Sequence, residues 1–385
     1  MDKKREKRII QIELIILVLL TIFAVYRGVH SSLSNHAAAE KLKSTANTGE
    51  QETGQAEPVT EKEGVSAEET QKETEKKFIK WVDFHVTNEA MRAAYQMDVE
   101  SYGQEVHLDW VDLLAYLGTR YGGDFTRYKE KDLQELKEKR ITQGQTMDEL
   151  TKDLKYYPYY REAYGAVLDG WVGEYEIQVE KENEVVWEKK YGLKAYLPIA
   201  KGYEYSDYDD FGTSRSYGYS RPHLGHDMMG QVGTPIIAVE SGYVEAIGWN
   251  QYGGWRLGIR SFDKKRYYYY AHLRKNFPYN KQLEVGSVVQ AGDVIGYLGR
   301  TGYSANENVN NIDTSHLHWG LQLIFDESQK EGNGEIWVDC YQLTRFLYQN
   351  RSLTEKNLET KEYHRIYEFR DPAAEQYKNA SEKGD

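Results

Sequence analysis

A single cysteine in 385 residues rules out an intrachain disulfide framework and any metal cluster built from several thiolates of one chain. Basic residues are not in excess either. Lys and Arg number 49 against 61 Asp and Glu, a net charge of −12, whereas a dedicated nucleic-acid binder shows a basic domain or stripe. Residues 31–77 contain no Phe, Trp or Tyr, so that stretch lacks the apolar area that would offset its ordering entropy. Aromatics are abundant elsewhere, with 33 Tyr, 10 Phe and 8 Trp, which excludes disorder throughout. At about 150 residues per domain the length fits two folded units with accessories.

The chain divides by composition. Lys3, Lys4, Arg5, Lys7 and Arg8 precede an apolar run from Ile9 to Tyr26, near the lower limit for crossing a bilayer. The positive-inside rule places this cluster in the cytoplasm and everything beyond Arg27 outside. Residues 1–30 thus read as a basic cluster with a single-pass anchor in the cell membrane, the bulk of the chain being extracytoplasmic. A cleaved signal peptide is the competing reading, although no small-x-small site closely follows Tyr26. Residues 31–77, rich in Glu, Lys, Thr, Ser and Gln, read as a disordered tether.

Residues 78–196 carry helical spacing. Helices are expected over Asn88–Tyr102 with Thr87 or Asn88 as cap, Asp109–Tyr121 closed by Gly122-Gly123, Lys129–Arg140, Thr146–Leu154 and Tyr159–Leu168. Alternation over Tyr175–Val179 and Glu184–Tyr191 predicts a β-hairpin. This makes a mainly helical accessory domain without a motif for chemistry. Its aromatics read as core, with a carbohydrate- or protein-binding face as the alternative.

Beyond Leu197 short strands alternate with glycine-bearing turns, the pattern of an all-β antiparallel fold. Within it lie His223-Leu224-Gly225-His226-Asp227 in an expected loop, His272 after a strand, and His316-Leu317-His318 opening another. Residues two apart on a strand share a face, so His316 and His318 converge. Imidazole and carboxylate suit Zn²⁺, and without thiolates a His/His/Asp set is the natural way to hold it.

These motifs resemble those of the lysostaphin-type (LytM-like) zinc peptidoglycan endopeptidases. The shared order is His223–Asp227, then Gly233-Thr234-Pro235-Ile236-Ile237-Ala238, Tyr270–Leu273, Gly292–Gly302 and His316–His318. Phe211-Gly212 and Arg215 look like the lead-in to the first of them, and the likeness covers roughly residues 205–339. It implies zinc ligands at His223, Asp227 and His318, a catalytic pair at His272 and His316 that orients water and relays its proton, and no ligand role for His226. Two departures stand out. Residues 305–315 are inserted before His316 and are expected at the cleft rim, and Trp319-Gly320 follows where an aromatic and Glu are common.

The architecture expected is therefore a membrane anchor, a tether, the helical domain 78–196, a LytM-like metallopeptidase domain at 197–348 and a charged tail at 349–385 with helical character up to Arg370. The resemblance implies hydrolysis of peptide bonds in peptidoglycan, with Zn²⁺ as cofactor and no nucleic-acid partner. A non-catalytic scaffold binding wall or a membrane protein is the alternative.

Overall fold

The structure is a computed structural model and describes residues 78–216, 220–330, 332 and 334–381. The expected anchor over 9–26 and tether over 31–77 lie outside the described residues. Among the described residues no helix is long and apolar enough to cross a membrane.

Local capping sets the helices. Helix α1 (Asn88–Ser101) is capped by Thr87, whose hydroxyl accepts from the Ala90 amide. Helix α2 (Trp110–Tyr121) starts at Asp109, which accepts from the Asp112 amide, and ends on Gly122 in the left-handed region. Helix α3 (Glu130–Ile141) follows, and Thr146 and Glu149 form a reciprocal capping box on the short α4 (Met147–Thr151). Helix α5 (Tyr157–Leu168) has a proline in its first turn. The hairpin β1 (Val172–Lys181) and β2 (Glu184–Leu193) is longer than its alternation suggests. It turns on Glu182-Asn183, both at positive φ, without the glycine that usually marks such a turn.

A small hairpin, β3 (Ser214–Ser216) and β4 (Ser220–Pro222), then leads into a seven-stranded antiparallel sheet. Its strands are β5 (His226–Met229), β7 (Gly242–Asn250), β8 (Gly254–Ser261), β9 (Arg266–Ala271), β10 (Val288–Val289), β12 (His316–Leu323) and β13 (Ile336–Val338). The path runs β10-β7-β8-β9-β12-β13, with β5 also paired to β12. Strands β6 (Pro235–Ile237) and β11 (Val294–Tyr297) form a separate pair.

The two faces of this sheet divide the labour. On β9, Tyr268 and Tyr270 are fully buried on the side of the helical layer, while Tyr267, Tyr269 and Ala271 line an open cleft. On β12, Leu317, Trp319 and Leu321 are buried and His316, His318 and Gln322 line the cleft. The period of two thus gives one strand a structural face and a chemical face.

Residues 75–385 form one compact unit, and one apolar core runs from α2 and α5 through Trp171 into β8, β9 and β12. The change from helices to strands near residue 196 is therefore not a gap in packing. A buried polar cluster crosses it. Trp171 Nε1 donates to Tyr268 Oη at 2.9 Å, Tyr268 donates to Glu240 at 2.6 Å, and Arg266 binds Glu240 at 2.8 and 3.0 Å while donating to the Ala166 carbonyl.

Past residue 348 the expected helical character up to Arg370 is replaced by short strands, β14 (Thr354–Lys356), β15 (Tyr363–Arg365) and β16 (Phe369–Arg370). Helix α6 (Tyr341–Leu347) precedes them and helix α7 (Pro372–Ser381) follows. Strand β16 adds to the edge of β1, Phe369 is buried, and Lys194 pairs with Asp371 at 2.9 Å. These partners lie far away in sequence, so local periodicity carries no sign of them.

Candidate metal centre

Strand pairing assembles the site. Asp227 on β5 lies directly opposite His318 on β12, and His316 opposite Met229. The segment expected as a glycine loop is a strand from His226 onward, because β12 supplies its partner. His223 stands just before it, and three atoms meet. His223 Nε2 is 3.0 Å from Asp227 Oδ1 and 3.0 Å from His318 Nδ1, and His318 Nδ1 is 2.9 Å from Asp227 Oδ1. Among the described residues these three are the group of His, Cys, Asp or Glu side chains placed to share a metal ion.

Gly225 makes this approach possible. A Cβ at that position would sit 2.5 Å from Cε1 and Nε2 of His318, so the imidazole occupies the space a side chain would fill. Behind His223, Asp210 Oδ1 is 3.2 Å from Nδ1, the position of a carboxylate that orients a ligating imidazole. Arg215 pairs with Asp210 and reaches Asp227 at 3.4 Å. Burial opposes the Asp227 charge, but hydrogen bonds from His223 and His318 overcome it and hold the carboxyl far below the usual carboxylate range. Burial lowers His318, against the pull of Asp227. Three lone-pair donors this close are tolerated around a shared cation or proton, so the set fits a metal ion.

Two further histidines face the same cleft. His272 Nδ1 is 2.9 Å from the Thr301 carbonyl, and His316 Nδ1 is 2.8 Å from the Thr314 carbonyl. A carbonyl only accepts, so in both rings Nδ1–H donates and the Nε2 lone pair is turned elsewhere. The rings lie 4.7 Å apart, and His316 Nε2 is 3.7 Å from Asp227. Burial, reinforced by His316 and His318, holds His272 well below the ordinary histidine range. His272 itself has φ +62°, a left-handed conformation uncommon outside glycine.

His226 points away from this group, is buried, and pairs with Asp207 at 2.9 Å. The cleft of about 730 Å³ is walled by Tyr208, Tyr252, Tyr303 and Trp337. Gly320, one of the two departures, makes room for the last of these, since a Cβ there would lie 2.7 Å from the Trp337 ring. The inserted segment 305–315 is tied down at Asn308, which accepts from Trp255 Nε1 at 2.9 Å and from the Asn276 amide at 2.8 Å. Asp210 and Asp207 are the partners that sequence reasoning missed. Asp210 sits beside Phe211-Gly212, which was the signal at hand.

The model of peptidase family M23 matches residues 221–331, the stretch that holds all five of these side chains. Residues 221–331 form an M23 peptidase domain. The L-Ala–D-Glu endopeptidase of Bacillus subtilis is 33% identical over 155 residues, 40% of this chain and 45% of that protein. Lysostaphin of Staphylococcus simulans is 36% identical over 120 residues, 31% of this chain and 20% of that protein. The chain thus spans less than half the length of these relatives. The crystal structure of the lysostaphin catalytic domain from Staphylococcus simulans is 29% identical, with 37% of this chain and 92% of that chain covered and a TM-score of 0.28. M23 peptidases are zinc metallopeptidases, and zinc suits the His-Asp-His group of this M23 domain.

Proposed function

We propose that the protein is a membrane-anchored zinc endopeptidase that hydrolyses peptide bonds of peptidoglycan outside the cell, with His223, Asp227 and His318 as ligands and His272 and His316 as the catalytic pair. The observation that carries this reading is the arrangement of two tautomer-fixed histidines beside a three-ligand group with an open side toward a cleft. A catalytic zinc keeps such an open position, and when bound the ion supplies Lewis acidity there. The relatives named above are peptidases of wall peptides, which supports the substrate class.

The chain's own residues do the rest. Nε2 of His272 and of His316 accept a proton from water and return it to the leaving amine. Once protonated, either ring donates toward a carbonyl oxygen that is gaining charge. Because Nδ1–H of His272 donates to the Thr301 carbonyl, its Nε2 keeps a lone pair to accept with. Asp210 and the backbone carbonyls of Thr301 and Thr314 fix ring orientation, and the Tyr and Trp walls position a peptide. Residues 9–26 would anchor the chain, with 31–77 as tether.

Purified peptidoglycan incubated with the protein, with and without chelator, tests the reading through mass spectrometry of released fragments. New peptide termini that depend on metal and vanish in His223→Ala are expected. Undiminished release by His223→Ala would overturn the metal mechanism. One equivalent of bound zinc with no release from any wall type would favour the scaffold.

A further inference from the structure

Among the described residues, four Arg and Lys side chains line the cleft beside the metal group, and they are not equivalent. Arg215 is committed to Asp210 and Asp227, and Lys330 to Glu245 at 2.9 Å. Arg221 and Arg256 line the same cleft with no carboxylate partner among the described residues.

Arg221 is held by aromatic rings and a hydroxyl. Its guanidinium lies over the rings of Tyr252, at 5.5 Å, and Tyr303, at 5.8 Å, and donates to Tyr303 Oη at 3.1 Å. Tyr303 in turn packs 5.9 Å from the ring of His272. Its backbone carbonyl accepts from Asn311 of the inserted segment at 2.6 Å, so the insertion props the side of the cleft on which Arg221 stands. Arg256 is half-buried and its Nε is enclosed without a hydrogen-bond partner. Arg221, Arg256, Tyr269 and His272 all line this one cleft. Among the described residues of the cleft lining, the one carboxylate apart from the ligand Asp227 is Glu335, and that accepts from Trp337 Nε1 at 2.8 Å.

A planar guanidinium fixed on aromatic faces, with donors left over, is the side chain that matches a carboxylate in geometry as well as in charge. We propose that Arg221 and Arg256 form a carboxylate-binding subsite beside His272, so that the cleft selects peptides carrying a free carboxylate next to the bond to be cut over uncharged ones such as oligoglycine. This rests on the peptidase reading above and narrows its substrate class.

The test compares two defined stem-peptide fragments that differ only at the acidic residue flanking the scissile bond, one with a free carboxylate and one amidated. Using the full zinc-loaded chain, kcat/KM is measured for each, together with direct binding by calorimetry. The free-acid form should be preferred roughly 10- to 100-fold, the scale of one charged hydrogen-bond pair. Arg221→Gln and Arg256→Gln should each erase most of that preference, and Arg221→Lys should restore part of it. Equal cleavage and equal binding of the two peptides, or better cleavage of oligoglycine, would overturn the subsite. If neither peptide is cut while the free acid still binds more tightly through Arg221, the peptidase reading falls and the subsite stands. Tight binding of a glycerol-phosphate oligomer, with no discrimination between the peptides, would make the pair a polyanion site and overturn the proposal.

Discussion

Replacing Gly225 by Ala changes one hydrogen to a methyl group and tests the metal group on steric grounds alone. The added Cβ would lie 2.5 Å from Cε1 and Nε2 of His318, and 3.0 Å from the Trp319 carbonyl oxygen. Ordinary contacts of this kind are 3.4–4 Å, so the ring or the β5 backbone must retreat by about 1 Å. Gly225 does not sit at positive φ, so alanine costs little in backbone conformation and the strain falls on His318. Metal sites tolerate ligand displacements of roughly 0.2 Å. Displacing His318 by several times that should weaken zinc binding at least as much as losing an orienting partner, about 10- to 100-fold or more. Zinc content after dialysis at buffered free zinc, with the melting temperature in zinc and in chelator, measures it. The wild type should gain stability from zinc and Gly225→Ala should lose most of that gain, with chelated melting temperatures close together. Gly320→Ala is the control, since its Cβ meets the Trp337 ring and no ligand. If Gly225→Ala binds zinc as tightly as the wild type, His318 is not a ligand held in the observed position and the reasoning fails.

Other outcomes follow from the same geometry. Asp210→Asn keeps shape but removes the charge facing His223 Nδ1, and should lower zinc affinity about 10- to 100-fold in the same dialysis measurement. Arg266→Met leaves Glu240 buried without its bidentate partner and should cost about 3–5 kcal/mol in urea unfolding, while adding Glu240→Leu recovers most of it. An unchanged midpoint for Arg266→Met would show that Glu240 is neutral in the fold. Burial opposes the charge of Asp207, but His226 and Arg345 outweigh it and hold the carboxyl below the ordinary value. Its contribution is present above the unfolded value of about 4 and is lost as pH falls through the folded one, so wild type and Asp207→Asn should converge in stability below about pH 4.

How much of the site the sequence discloses depends on whether the signal is local. His316 and His318 share a face because strand period fixes it, and pairing with β9 and β5 places that face on the cleft. The segment His226–Met229 reads as a loop because its strand character comes from β12, some ninety residues later. Arg221 and Asp210 belong to a polar stretch without periodicity, and their roles appear only once Tyr303 and His223 are beside them. Residues 363–370 read as tail for the same reason, since their partners Ile177 and Ala291 are remote. The helices are local in origin, and at α1 and α2 the caps and Gly122 mark the ends within one residue, whereas the helix expected over Thr146–Leu154 already stops at Thr151.

The run Tyr267-Tyr268-Tyr269-Tyr270 shows why the helical layer and the chemistry are not independent. Four identical residues carry no face preference of their own, so register decides which of them look inward. The buried bond from Trp171 to Tyr268 and the Val239 amide bond to Tyr270 hold one pair on the helical side. Tyr267 and Tyr269 are thereby turned to the cleft, where Tyr269 packs 5.9 Å from His318. A one-residue slip would invert every one of these assignments and carry His272 off the cleft with them. Removing residues 78–196 would take away Trp171 and the Ala166 carbonyl, leaving Tyr268, Glu240 and Arg266 as an exposed polar edge on the back of the cleft strand β9. The helical layer thus acts on the site through register: it helps make one of two equivalent-looking faces of β9 the one that lines the cleft.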